Sequence, residues 1–289
     1  MRELYNYRID EDATTLRPKT RDELISFITI RIIEDGPKCS LNDIDVSGII
    51  DMSFLFQHFN TFNGDISKWN VSNVKNMRGM FANSNFDGDL SKWDVRNVED
   101  MSSMFAGSRF NADISKWNVS KVKDMSSMFS VSIFDGDISK WNVSNVKNMN
   151  SMFSNSDFNK DISKWNVSKV EDMTNMFAFS KFNGDISEWK VSKVVSMEDM
   201  FNGSKFKGDL SKWDVRNVKN MRGMFTYSKF NGDISKWKVS KVVSMEDMFN
   251  GSNFNGDLSE WDVRNVKSMK NMFLDSPLKW KEPSWYKFN

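Results

Sequence analysis

The sequence predicts an elongated repeat solenoid with a helix capping its N-terminal end. Each 24-residue coil is expected to combine a short parallel strand with short helical or 3₁₀ turns. Three observations lead there. Tryptophan recurs every 24 residues, at Trp69, Trp93, Trp117, Trp141, Trp165, Trp189, Trp213, Trp237 and Trp261. The residues around it recur too, as F-N-G-D-I-S-K-W-N-V-S-N-V-K-N-M-x-x-M-F-x-x-S-x. A single segment with helix-starting chemistry, at Thr20, precedes the array. Fixed-period self-similarity of this kind marks stacked units, none of which buries its apolar face alone.

Residues 1–40 are read as an N-terminal segment and cap helix. Thr20, Arg21, Asp22 and Glu23 follow Pro18 with the spacing of a capping box, in which the first side chain and the fourth bond each other's backbone N–H. Leu24, Ile25, Phe27, Ile28, Ile30, Ile32 and Ile33 come next, and Gly36 can end the helix. That density of aliphatics predicts burial over much of the helix surface. Residues 41–61 read as a degenerate first coil, with Val46, Ile49, Met52, Leu55 and Phe56 on template and one extra residue before Phe62.

Residues 62–277 hold nine repeats. In the first, the apolar columns are Phe62, Ile66, Trp69, Val71, Val74, Met77, Met80 and Phe81. Ile66, Trp69 and Val71 have the L-x-x-L-x-L spacing of a leucine-rich-repeat strand, so the solenoid is expected to be leucine-rich-repeat-like. Trp69 and Val71 share parity and can both point inward. Val74, Met77, Met80 and Phe81 step by three, three and one, which suits a 3₁₀ or α turn. Parallel strands ~4.8 Å apart would make a rod on the order of 45 Å long, with Trp, Phe and Met each stacked on its own kind. Because each Trp lies in register with Ile and Val, burial is expected rather than a sugar-stacking platform. Residues 278–289 are read as a C-terminal cap. Leu278 takes the Phe column, and then the pattern breaks into Trp280, Pro283, Trp285 and Tyr286.

The polar columns admit two chemistries. Asp65 and its equivalents recur in every coil, and Asp87-Gly88-Asp89 and Asp135-Gly136-Asp137 carry a second Asp. Calcium needs six or more oxygens. The expected role is instead capping of turn N–H groups by Asp and Ser. Flanking the inward Val, coils alternate among Asn-Val-Ser, Asp-Val-Arg and Lys-Val-Ser. The outward, variable members Arg96, Lys190, Arg216, Lys238 and Arg264 are the candidate interaction surface. Lys precedes Trp in seven of nine coils, which reads as a solvated face with an anion-binding stripe as the rival. Asn-Val-Ser, Asn202-Gly-Ser and Asn250-Gly-Ser match the glycosylation sequon but are expected to be repeat chemistry.

Bulk composition excludes several classes. Lys+Arg 40 against Asp+Glu 39 leaves no basic excess for nucleic acid. Cys39 is the single cysteine and His58 the single histidine, so neither a disulfide nor a His/Cys metal cluster is expected, nor any cofactor or catalytic constellation. The N-terminus lacks the apolar stretch of a signal peptide, and no apolar run is long enough to span a bilayer. A place inside a cell, a virus or another assembly is expected.

The string D-I-S-K-W-N-V-S-N-V-K-N-M-x-x-M-F resembles the BspA-like surface-protein repeat, a divergent leucine-rich-repeat branch, over about residues 41–277. The resemblance implies a leucine-rich-repeat-like solenoid used for attachment or protein binding, displayed at a cell surface, with no catalytic residues. Val74 and its equivalents stand where ordinary leucine-rich repeats place a ladder asparagine. The expected function is a non-enzymatic structural or protein-interaction scaffold, in or out of a larger assembly. The alternative is an adhesin that binds host protein or carbohydrate through stacked polar or aromatic columns.

Overall fold

The computed structural model describes residues 16–286, so residues 1–15 of the N-terminal segment and 287–289 of the C-terminal cap lie outside the description. The first element is helix α1, Arg21–Asp35. The Thr20 hydroxyl accepts the Glu23 N–H at 3.2 Å. The Glu23 carboxylate reaches back past the N-cap residue to accept the Lys19 N–H at 2.6 Å. Gly36, at φ 83, donates its N–H to Ile32 and ends the helix. Burial over much of the helix surface does not occur. Only Leu24 and Ile28 are buried, while Ile33 is 77% exposed. One helix laid across one end of a stack buries an i, i+4 stripe fully, with Ile25, Phe27 and Ile32 packed partly buried beside it, and leaves its far side to solvent.

Beyond α1 the chain is a solenoid with one continuous apolar interior. The Phe62, Ile66, Trp69, Val71, Val74, Met77, Met80 and Phe81 columns are buried in coil after coil. The backbone of each coil differs from the expected strand at Ile66–Val71. Residues 66–74 instead make tight turns, with the Trp69 N–H donating to Ile66 at 3.1 Å and the Val74 N–H to Val71 at 2.9 Å. The parallel contact falls one residue before the first Met. Asp51, Asn76, Asp100, Asp124 and their successors to Ser268 form an unbroken row of isolated bridges.

Residues 75–83 carry the coil-to-coil ladder. The N–H groups of Met77, Gly79, Phe81 and Asn83 donate to Asp100, Ser102, Met104 and Ala106 of the next coil at 2.7–2.9 Å. The residues between them donate within the coil, as in Met80 to Met77 and Ala82 to Gly79. Alternating outward and inward donors bends the chain too sharply for a strand. It also forces left-handed backbone at two positions per coil, such as Gly79 (φ 58) and Asn83 (φ 57), then Ser103 (φ 56) and Gly107 (φ 65). Three-residue spacing of the apolar positions is the sequence trace of these turns.

The Trp column is buried, and each indole N–H is satisfied by the coil before it. Trp93 donates to the Ile66 carbonyl at 3.1 Å and Trp165 to that of Ile138 at 3.1 Å. Equivalent rings are 6.3 Å apart at Trp69–Trp93 but 5.6 Å at Phe81–Phe105. The C-terminal segment does not break the Trp pattern. Trp285 stacks on Trp261 at 6.5 Å and donates to Leu258, as a tenth member of the column. Leu278 fills the Phe column from the 3₁₀ turn Pro277–Trp280, whereas Trp280 faces solvent.

Candidate interaction surface

Much of the polar surface is committed to holding the coils. In every repeat the Asp before Ile or Leu accepts the N–H of the Ser two residues on, as Asp65 does from Ser67 at 2.9 Å and Asp161 from Ser163 at 2.8 Å. Hydrogen bonding by that Ser holds the Asp65, Asp113, Asp161 and Asp257 carboxyls below the usual carboxylate range. The other Asp of Asp87-Gly88-Asp89 has a different task. Its side chain accepts the Asn111 N–H of the next coil at 2.7 Å. Asn111, Asp135, Asn159 and Asn183 repeat this bond upward, forming a side-chain-to-backbone ladder. A second set, Asn73, Asn97, Asn145, Asn217 and Asn265, donates to a carbonyl of the coil below. Ladder asparagines therefore exist, at columns other than that of Val74.

The candidate cations lie on the turn segment beside the Trp column. Arg96, Arg216 and Arg264 each hold the Asp two residues earlier, at 2.8, 2.7 and 2.8 Å. Lys190 and Lys238 are exposed, and alternate along one column with Asp214 and Asp262. Four of the five thus sit in consecutive coils, with Arg96 several coils away. Exposed pairs of this kind are worth about 0–1 kcal/mol each. The Lys row before Trp is exposed and gives way to Glu188, which pairs with Lys212 at 2.5 Å, and to Glu260. Cys39 is buried at the N-terminal end, where desolvation, and then the Asp35 charge, push its thiol up.

A different group stands out on the ladder side. Val131, Phe179 and Tyr227 share the column of Asn83 and Gly107, in left-handed backbone at φ 54, 55 and 52. They are 58%, 60% and 62% exposed. Ile133 and the pair Val195 and Val243 add exposed apolar surface on the same side. The Phe179 and Tyr227 rings lie over Gly203 and Gly251 of the following coils. Lys205 and Lys229, two residues after Gly203 and Tyr227, are both exposed. Two positions from Phe201, Asp199 is half-buried, and burial raises its carboxyl despite a bond from Asn202 at 2.9 Å. Arg222 ties the coils together here, contacting Glu198 at 2.8 Å and Glu246 at 3.7 Å. Reading the repeat by its constant columns passes over this patch. Its signal is a large apolar residue where other coils have Asn, Gly or Asp.

Among the described residues no helix is long and apolar enough to cross a membrane, and no three His, Cys, Asp or Glu side chains converge as a metal site. No curated protein and no solved structure matches the chain. The family described as Mycoplasma protein of unknown function, DUF285, matches residues 34–133, 108–207 and 203–282 in tandem.

Proposed function

The chain belongs to the DUF285 repeat family, and we propose that it is a non-enzymatic protein-interaction solenoid whose docking face is the ladder side. One observation carries this reading: Val131, Phe179 and Tyr227 occupy left-handed backbone and present most of their side chains to solvent. Left-handed backbone disfavours a residue with a Cβ by roughly 1–2 kcal/mol, and most of all a β-branched one. Asn or Gly at the same column, as at Asn155 and Gly203, avoids most of that cost. An exposed apolar side chain recovers little of it by burial within its own chain. Such residues on a rigid frame are accounted for by contact outside the chain. Tyr and other aromatics on preorganised backbone are the usual anchors of protein interfaces.

The resemblance to BspA-like leucine-rich-repeat surface proteins supports the same reading, with attachment as the purpose. A scaffold within a larger assembly would use this chemistry equally. The variable cations Arg216, Lys190, Lys238 and Arg264 then act as a polar accessory surface that tunes partner choice rather than as the anchor.

A carbohydrate-binding reading has one observation in its favour: two exposed rings two coils apart, each over a Gly. The buried Trp column cannot serve such a role. The test is parallel affinity capture from native lysate with the wild-type chain and Val131→Asn/Phe179→Asn/Tyr227→Asn, alongside a glycan array. Protein partners lost only with the triple variant support the reading. Glycan binding lost with that variant replaces it with the second reading.

A further inference from the structure

The two ends of the stack are finished differently. At the N-terminal end α1 covers the first coil, and the Arg21 guanidinium donates to the Ser53 carbonyl at 2.6 Å. At the C-terminal end, Leu278 and Trp285 continue only the Phe and Trp columns. Over the ladder half of that coil, Tyr286 meets Phe273 edge-on at 4.8 Å and donates to the Met269 carbonyl at 3.5 Å, and among the described residues no further coil covers it. Val263, Val266 and Met269 are only partly buried, although Val239, Val242 and Met245 one coil earlier are fully buried. A groove of about 810 Å³ lies there, lined by Val266, Met269, Phe273, Leu274, Trp285 and Tyr286.

The backbone of this groove is already in ladder form. Asn271 and Asp275 are left-handed at φ 57 and 54, and the inner bonds Met272 to Met269 and Leu274 to Asn271 are made. In the coil before, the N–H groups of Met245, Asp247, Phe249 and Gly251 donate upward at 2.7–2.9 Å. Their equivalents at Met269, Asn271, Phe273 and Asp275 have no backbone acceptor among the described residues. Lys267, Lys270 and Lys279 line the same groove against the single acid Glu282. Donor N–H groups and Lys side chains together demand an acceptor-rich, acidic occupant.

We propose that this groove binds an extended acidic segment of a partner protein, which continues the ladder by offering main-chain carbonyls to residues 269–275. The coil-to-coil interface itself shows the chemistry. The segment Val-Ser-Met-Glu-Asp-Met-Phe-Asn-Gly at 243–251 is acidic, and its carbonyls at Ser244, Glu246, Met248 and Asn250 accept from the coil below at 2.8–3.0 Å. This is ladder extension by strand addition in the sense of a sheet edge, carried out on a solenoid end. It is independent of the Val131, Phe179 and Tyr227 patch.

The experiment uses the full chain and a synthetic peptide of residues 243–251, read by amide hydrogen exchange and by fluorescence anisotropy. In the free protein the 269–275 amides exchange faster than their counterparts at 245–251. They become protected as the peptide is added, and a scrambled peptide leaves them unchanged. The Lys267→Glu/Lys270→Glu variant, at unchanged Tm, weakens binding about tenfold or more at low salt. The triple Asn variant of the exposed patch binds as wild type does. Absence of protection at saturating peptide overturns the proposal, as does equal protection by the scrambled peptide. Protection that depends on protein concentration without peptide overturns it in favour of a second copy of this chain.

Discussion

The ring of Phe179 lies against Gly203 of the next coil, so closely that a methyl group on Gly203 would sit 2.4 Å from ring atom Cδ1. Tyr227 covers Gly251 in the same way, at 2.3 Å, and Phe54 covers Gly79, at 2.3 Å. A large side chain in one coil is thus matched to a glycine in the next. Gly203 is also left-handed, at φ 62. Gly203→Ala is therefore expected to destabilise the chain by about 1–3 kcal/mol, from strain and overlap together. Part of that loss should return in Gly203→Ala/Phe179→Gly, because without the ring only the strain remains; Asn would not do, since Asn83 Oδ1 would lie 2.3 Å from a methyl group on Gly107. Thermal or urea unfolding measures both, and an Ala variant as stable as wild type would contradict the pairing.

Trp165 tests the buried column. Its indole N–H bonds the Ile138 carbonyl at 3.1 Å, inside the stack. Trp165→Phe keeps an aromatic ring but leaves that carbonyl unpaired and a gap beside it. A loss of about 2–4 kcal/mol is expected by denaturant titration. In the wild-type chain, iodide should quench the column weakly and exposed Trp280 strongly. Strong quenching of most of the emission would mean that the column faces water.

Lys207 interrupts the side-chain ladder that runs from Asn63 through Asp87, Asn111, Asp135, Asn159 and Asn183. Lys207 donates its N–H to the Asn183 side-chain carbonyl at 2.8 Å but has no side-chain carbonyl to offer Asn231. Lys207→Asn is expected to restore the step and to raise stability by about 0.5–1.5 kcal/mol. An unchanged or lowered Tm would show that the ladder adds nothing at an exposed column.

The Asp column makes stability depend on pH in one direction. In the folded chain the Asp65, Asp89, Asp113, Asp137, Asp161, Asp185, Asp209, Asp233 and Asp257 carboxyls are all lowered by the Ser two residues on. Their stabilising contribution is complete above the ordinary carboxylate range. It is lost as pH falls through the lowered folded values, where the caps protonate. Tm should be level from about pH 7 to pH 5 and fall steeply below about pH 4. A Tm that holds or rises on acidification would mean that these carboxylates do not cap the turns. Neighbouring Asp in the column oppose one another, as Asp65 does Asp89, so added salt should raise Tm slightly near neutrality.

How far the structure was legible differs from column to column. The Trp, Val, Met and Phe columns were readable because burial imposes identity: each must fit the same slot in every coil. The capping role of the Asp column was readable because Asp before a Ser turn has few other uses. The position of the parallel contact was not. Ile66, Trp69 and Val71 carry strand spacing, yet two successive tight turns satisfy the same inward parity. The ladder lies instead at 75–83, where the sequence is rich in Met and small polar residues and has only scattered β-branched ones, such as Val131 and Val195. The C-terminal register was obscured by Trp280, an off-register Trp that drew attention from Trp285. The exposed patch was hidden by the repeat itself. Consensus reading averages over positions 131, 179 and 227, and only their backbone angles reveal that Val, Phe and Tyr there are costly. The cations Arg96, Arg216 and Arg264 were found as outward residues, but their pairing with Asp leaves them less available than sequence suggested.

The most direct test of the interaction account is quantitative affinity capture with three forms of the chain side by side. These are wild type, Val131→Asn/Phe179→Asn/Tyr227→Asn, and Lys190→Ser/Lys238→Ser/Arg216→Ser/Arg264→Ser. Each is checked for Tm beforehand. The triple Asn variant should be as stable as wild type or more so, since Asn tolerates the left-handed backbone. It should nonetheless lose the specific protein partner, while the charge variant keeps it with weaker, more salt-sensitive retention. Undiminished retention of the partner by a fully folded triple Asn variant would contradict the account.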